Sequence, residues 1–137
     1  MKSVFADTGY LIAILDRYDQ LHSRAMSVSR DLGGRKIITS EMVLVELLNY
    51  FASKGAELRK AVVSLVEQLR NGAGVKIVSQ TEEQFESALS FYKERTDKNW
   101  SLTDCASILI MQKENIREIL SYDKHFQQAG FATLLRD

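Results

Sequence analysis

Four acidic side chains, Asp7, Glu46, Asp104 and Asp123, offer the chemistry most readily read from this chain. Carboxylates gathered at one point repel and cannot all ionise unless something compensates them. A hard divalent cation with oxygen ligands does so, and Mg²⁺ or Mn²⁺ is the natural occupant. Held there, it can polarise a phosphodiester and orient a bound water for in-line attack, with no nucleophilic side chain required. Glu46 is the most telling of the four. A helical wheel sets it beside Met42, Val43 and Tyr50 on a segment with little polar surface, so it is expected to be buried and it has no capping role. A buried carboxylate needs a cation or hydrogen bonds nearby, and Asn49 stands three residues on as a neutral companion.

Each acid also has a plainer reading. Asp favours helix starts, where it accepts backbone N–H bonds and opposes the positive end of the dipole, and Asp7, Asp104 and Asp123 all stand near such starts. Ser101-Leu-Thr-Asp104 reads as a capping box. For Glu46 the plain reading is an edge position or an ion pair with an Arg. Asp97, in the loop before Asp104, is read as solvated and left outside the group.

The elements that would position these residues alternate. Strands are predicted at Ser3 to Ala6, Lys36 to Thr39, Val75 to Ser79, Glu118 to Tyr122 and Phe131 to Leu135. Between them the periodicity predicts helices over Thr8 to Leu15, Leu21 to Leu32, Glu41 to Ser53, about Leu58 to Leu69, Thr81 to Arg95, Thr103 to Glu114 and Lys124 to Ala129. The segment from Glu41 is apolar almost all round and is expected to be deeply buried; the helix from Thr81 is expected to turn Phe85, Ala88, Leu89 and Tyr92 inward. Such alternation implies right-handed crossovers and an α/β fold, a mainly parallel sheet with helices on both faces. Sites in such sheets form beyond the carboxyl ends of strands, and Asp7 and Asp123 each follow a predicted strand.

Composition sets bounds. The 137 residues, 45% hydrophobic and 26% charged, suit one domain spanning 1–137. Eighteen basic residues balance eighteen acidic ones, which argues against a non-specific nucleic-acid coater but leaves room for an acidic pocket with a basic rim. The one cysteine, Cys105, lies in an apolar run and reads as core, and a reducing cytoplasm fits. The amino-terminal stretch has neither signal-peptide nor membrane-span character.

Read together, several segments resemble the PIN domains of the VapC toxin-like ribonucleases. They are the opening strand with Asp7-Thr8-Gly9-Tyr10-Leu11, Asp19-x-x-His22-x-x-Ala25, Thr39-Ser40 leading to Val45-Glu46-Leu47, Trp100-Ser-Leu-Thr-Asp104-Cys-Ala-Ser, and Leu120-Ser-Tyr-Asp123-Lys-His-Phe126. The resemblance spans nearly the whole chain. It implies a three-layer α/β/α sandwich, Mg²⁺- or Mn²⁺-dependent endoribonuclease activity, dimerisation, and neutralisation by a small antitoxin. Carried over by position, Asp7, Glu46 and Asp104 resemble the family's metal ligands, Asp123 a ligand held directly or through water, and Thr8, Ser101 and Thr103 supporting hydroxyls.

Two rivals belong to other classes: a non-catalytic RNA-binding or scaffold module of the same fold, and a Mg²⁺-dependent phosphotransfer domain of receiver-like type. Retention of all four acids disfavours the first, and the reach to Glu46 in mid-helix disfavours the second. His22 and His125 lack metal-ligand spacing and read as structural or exposed. Arg95, Lys98, Asn99 and Trp100 offer a loop for phosphates and base stacking, or more simply a solvated charged loop around one packed Trp. GxGxxG, P-loop, HExxH and EF-hand patterns are absent.

Overall fold

Strands buried on both faces must be apolar without alternation, and Val4-Phe5-Ala6, each wholly inaccessible, meets that condition at the centre of the sheet. In the computed structural model, which describes residues 2–136, the strands are β1 (Val4–Ala6), β2 (Ile37–Ser40), β3 (Val75–Val78), β4 (Glu118–Leu120) and β5 (Ala132–Thr133). The helices are α1 (Thr8–Leu15), α2 (His22–Asp31), α3 (Glu41–Phe51), α4 (Ala56–Asn71), α5 (Glu82–Glu94), α6 (Leu102–Glu114) and α7 (Lys124–Gln128). The sheet order is β3-β2-β1-β4-β5 and every pairing is parallel. The expected α/β class is therefore the observed one.

This order fixes where a site can form. From β1 the chain winds outward to β2 and β3, then α5 and α6 carry it back past β1 to β4 on the other side. Right-handed crossovers in opposite directions put helices on opposite faces, giving the three layers, and a crevice opens beyond the carboxyl ends of β1 and β4. Phe5 pairs with Ile119 and Ala6 with Leu120, which brings those two strand ends level. Phe5, Leu11, Leu47, Phe51, Ile108, Met111, Ile119 and Phe126 fill the core from the sheet and the helices over it.

Capping sets the helix starts. Ser40 Oγ accepts the Val43 N–H at 3.2 Å to begin α3, and Thr81 Oγ1 accepts that of Gln84 at 3.0 Å to begin α5. Asn115, at φ 62°, ends α6 in the left-handed conformation that Asn tolerates. The strand expected to run to Tyr122 stops at Leu120 because the Ser121 hydroxyl takes the Asp123 N–H at 3.0 Å, drawing the backbone into a turn. The last strand is shorter than expected, confined to Ala132–Thr133.

Two burial expectations are corrected. In α3, Met42, Val43, Leu44, Leu47 and Phe51 are buried, whereas Val45 is 53% exposed and Glu46, Asn49 and Tyr50 also face outward. A helix advances about 100° per residue, so even a nearly all-apolar segment on one side of a sheet retains an outer face. In α5 only Ala88 of the expected inner stripe is buried; Phe85, Leu89 and Tyr92 are exposed. Ala88 and Ala106 meet in a small cluster with Met42, and contact through such small residues brings α5 onto α6 while the larger side chains stay outside. Among the described residues, no helix is long and apolar enough to cross a membrane.

Candidate active site

Asp7 is the first residue beyond β1, and its N–H donates to the Leu120 carbonyl at 3.3 Å, tying it to the end of β4. It occupies the N-cap position of α1 without making a side-chain cap bond. Its carboxylate is only 8% exposed, and Oδ2 accepts the Ser121 hydroxyl at 3.0 Å. Burial, then the charge of Asp104, pushes the Asp7 pKa up to about 7. The Thr8 N–H and the Ser121 hydroxyl oppose that shift, and the Glu46 charge adds to it.

Asp104 arrives at the start of α6, within the capping box the sequence suggested: Ser101 Oγ accepts the Asp104 N–H at 3.0 Å, and Asp104 Oδ2 accepts the Ser101 N–H at 3.1 Å. Asp123 caps α7 by accepting the His125 N–H at 2.9 Å. Capping therefore positions both acids instead of competing with a role in the cleft. The His125 ring sits between them, Nδ1 lying 3.0 Å from Asp104 Oδ2 and 3.3 Å from Asp123 Oδ1. With its proton on Nδ1, the ring donates to Asp104 and leaves Asp123 at ion-pair distance.

Glu46 needs correction. It is exposed, so the buried-carboxylate reasoning applies to Asp7 instead. Its position on the outer side of α3 nevertheless brings it to the cleft, of about 460 Å³, that Asp7, Asp104 and Asp123 also line. The four acids share that cleft with His125 and Asn99, and no Lys or Arg is among its lining residues. Thr8 and Ser101 line it as well, but differently. Thr8 Oγ1 is buried with no hydrogen-bond partner, whereas Ser101 Oγ is committed to its cap. Thr103 lies apart from it, in an adjoining cleft with Glu46, Asn49 and Gln80.

The donor set suits a hard divalent cation: carboxylate oxygens, nearby hydroxyls and one imidazole, with an acid whose burial and acidic neighbours hold it far above its ordinary pKa. The oxygens of Asp104 and Asp123 and a ring nitrogen of His125 lie within 4.8 Å of one another, close enough to share an ion. Sequence reasoning missed Ser121 and undervalued His125. His125 stands two residues after Asp123, a visible signal; its contact with Asp104, across 21 residues of chain, has none.

The other candidates resolve into structure. Trp100, only 5% exposed, donates its indole N–H to Gln128 Oε1 at 3.2 Å, so it cannot stack a base. Arg95 is held by Asp97 through bonds of 2.9 and 3.0 Å, and Asp97 stands outside the cleft. His22 Nδ1 bonds the Ala13 carbonyl at 2.7 Å. Cys105 is buried in the core, and burial, then the charge of Asp104, pushes its thiol pKa up.

A profile of the PIN domain matches residues 4–132, a span that holds all four acids. The chain belongs to the PIN domain family. Solved structures share its fold. VapC20, a Sarcin-Ricin loop cleaving toxin from Mycobacterium tuberculosis, superposes with a TM-score of 0.84 at 23% identity, over 95% of this chain and 97% of that one. FitAcB from Neisseria gonorrhoeae gives 0.65 at 18% identity, over 95% of each chain. FitAB bound to an IR36 DNA fragment gives 0.66 at 16% identity, over 98% and 96%. No curated protein matches by sequence. In this PIN domain the acidic cleft lies at the topological switch between β1 and β4, where the fold class places sites.

Proposed function

We propose that the protein is a divalent-metal-dependent endoribonuclease, the toxin of a toxin–antitoxin pair, with Asp7, Glu46, Asp104 and Asp123 as its metal-binding and catalytic acids. The observation that carries this is the gathering of four carboxylates from four elements into one cleft without a Lys or Arg, in a PIN domain. When bound, Mg²⁺ or Mn²⁺ would offset the mutual repulsion of these acids, polarise a phosphodiester and supply an activated water.

The chain's own groups prepare that state. Ser121 holds the Asp7 carboxylate, the capping box and His125 fix Oδ2 of Asp104, and the α7 cap fixes Oδ1 of Asp123. These three acids thus meet a cation with their orientation already set, which lowers the entropic cost of assembling the centre. Glu46, exposed at the cleft, is the member most open to rearrangement. Its approach from α3 also disfavours a phosphotransfer reading, in which the acids come from strand ends.

The likeness to a Sarcin-Ricin loop cleaving toxin supports the toxin role, and with it a small antitoxin partner and a cytoplasmic setting. We assign the homodimer to α5. Phe85, Leu89 and Tyr92 lie exposed at helical spacing along it. Two copies packed about a two-fold axis would cover this apolar stripe on each other.

The deciding experiment is cleavage of structured and single-stranded RNAs with Mg²⁺ or Mn²⁺. Turnover that stops with a chelator, and that Asp7→Asn abolishes while the protein stays folded, is expected. RNA binding without cleavage would favour the scaffold module, and labelling by a small phosphodonor the phosphotransfer domain.

A further inference from the structure

An acidic cleft repels the phosphates it is meant to receive, and a chain of zero net charge has no overall field to draw them in. A bound cation would engage the scissile phosphate alone, so hold on the rest of the strand must come from other groups at the cleft. Two are large and accessible: Tyr50, 41% exposed, and Tyr122, 46% exposed, both of which line it. Each is tied in sequence to an acid. Tyr50 stands one helical turn after Glu46 on α3, and Tyr122 immediately precedes Asp123.

Each ring also has a cation over it. Lys54 Nζ lies 4.9 Å from the centre of the Tyr50 ring, and the Arg136 guanidinium 4.2 Å from that of Tyr122. Arg136 is anchored there by its Nε, which donates to the Tyr122 carbonyl at 2.6 Å. Tyr50 is steadied by an edge-on contact with buried Phe51 at 5.0 Å. An aromatic beside a cation suits a nucleotide: a flat base for the ring, a phosphate for the charge.

We propose that Tyr50 and Tyr122 are base-stacking residues which, with Lys54 and Arg136 as phosphate contacts, hold unpaired nucleotides of an RNA at the carboxylate cleft. The proposal rests on the ribonuclease reading and deepens it: the substrate must present splayed bases there. Bases stacked within a duplex offer no free face to a tyrosine. The two pairs come from different elements, α3 with its following turn, and the β4–α7 connection with the carboxyl-terminal segment. The strand is therefore gripped at two places.

The test is a binding measurement that does not depend on turnover. Single-stranded oligoribonucleotides carrying 2-aminopurine at successive positions are titrated into the Asp7→Asn protein with Mn²⁺. Quenching confined to a few positions is expected, and adding Tyr50→Ala or Tyr122→Ala should relieve it at one position each and weaken binding roughly tenfold. Phenylalanine at either position should hold the RNA as tightly as tyrosine. Lys54→Gln should lower the salt dependence of binding by about 0.7 in logarithmic slope, the loss of one phosphate contact on a single strand. The same sequence as a duplex should not be quenched.

Alanine variants with native circular dichroism that bind and quench as their parent does would overturn the proposal and leave the tyrosines to a protein partner. RNA that the unsubstituted protein quenches through these residues but never cuts with Mn²⁺ would sink the nuclease reading and leave the stacking role standing.

Discussion

The connection after β1 and the loop before α6 each present an aspartate, and the two live under opposite electrostatics. Asp7 is buried among like charges, with its pKa pushed up to about 7. Asp97 is exposed and held by Arg95, whose bonds bring its pKa down to about 2. The loop offers a functional reading of its own in sequence, with its cations, amide and tryptophan. In three dimensions most of its groups satisfy one another: Arg95 lies over the Trp100 ring at 4.8 Å and Lys98 at 5.9 Å, while the indole bonds Gln128. The cleft around Asp7 is left electrostatically unsatisfied, and unmet demand of that kind marks a functional site better than a conspicuous composition does.

The sharpest way to break this contrast is to neutralise Asp7. Asp7→Asn keeps the shape and can still accept the Ser121 hydroxyl, but removes the charge the centre needs. Cleavage should fall by more than the roughly 100-fold that losing an outer partner of a metal ligand costs. The metal-free protein should melt higher, because a desolvated charge has been removed. An Asp7→Asn protein that cuts RNA normally, or that melts lower without metal, would undo the assignment.

Ser121→Ala probes the same region one shell out. The hydroxyl steadies Asp7 through Oδ2 and links it to the Asp123 backbone, so its loss should reduce Mn²⁺ affinity and cleavage about 10- to 100-fold, as measured by calorimetry and turnover. It should also raise the Asp7 pKa further, since a bond to the charged form has gone. Unchanged Mn²⁺ affinity would make Ser121 merely part of the turn.

The third test is pH. Asp7 has a folded pKa near 7 against an ordinary 3.8, so the folded metal-free protein binds the proton more tightly than the unfolded chain. The penalty is absent below about pH 4, grows as pH rises through the interval, and is complete above about 7. Stability without metal should therefore decline across that window, by about 4 kcal/mol at most for this group. Saturating Mn²⁺ should reduce or reverse the decline, and Asp7→Asn should flatten it. Denaturant titrations from pH 4 to 8 would show it, and stability that climbs with pH in the metal-free protein would contradict it.

How much of this was legible in the chain varies with the range of the cause. Strand–helix alternation is local, so every element was expected within a few residues and the α/β class followed. Asp104 and Asp123 were legible through caps, which lie within four residues. Burial was less legible. The apolar pattern of α3 hid the outward face that carries Glu46 and Tyr50, and that of α5 disguised an exposed stripe as a core one, because which side packs depends on a neighbouring helix distant in sequence. The link from Ser121 to Asp7 crosses 114 residues and no short window contains it.

The smallest effect is expected at Asp97, and its smallness is the point. Its lowered pKa means that any stabilisation it gives is present above the ordinary 3.8 and is lost as pH falls through about 2. Both partners of the ion pair reach solvent, where screening and side-chain entropy leave such pairs worth little. At neutral pH, Asp97→Asn should leave melting temperature, Mn²⁺ affinity and cleavage within experimental scatter, although it is the same side-chain replacement as Asp7→Asn. If Asp97→Asn instead weakens Mn²⁺ binding as Asp7→Asn does, the loop belongs to the centre and the boundary drawn between the two regions is wrong. If it lowers stability alone, the boundary stands, and the loop's internal bonds matter more to the fold than their exposure implies.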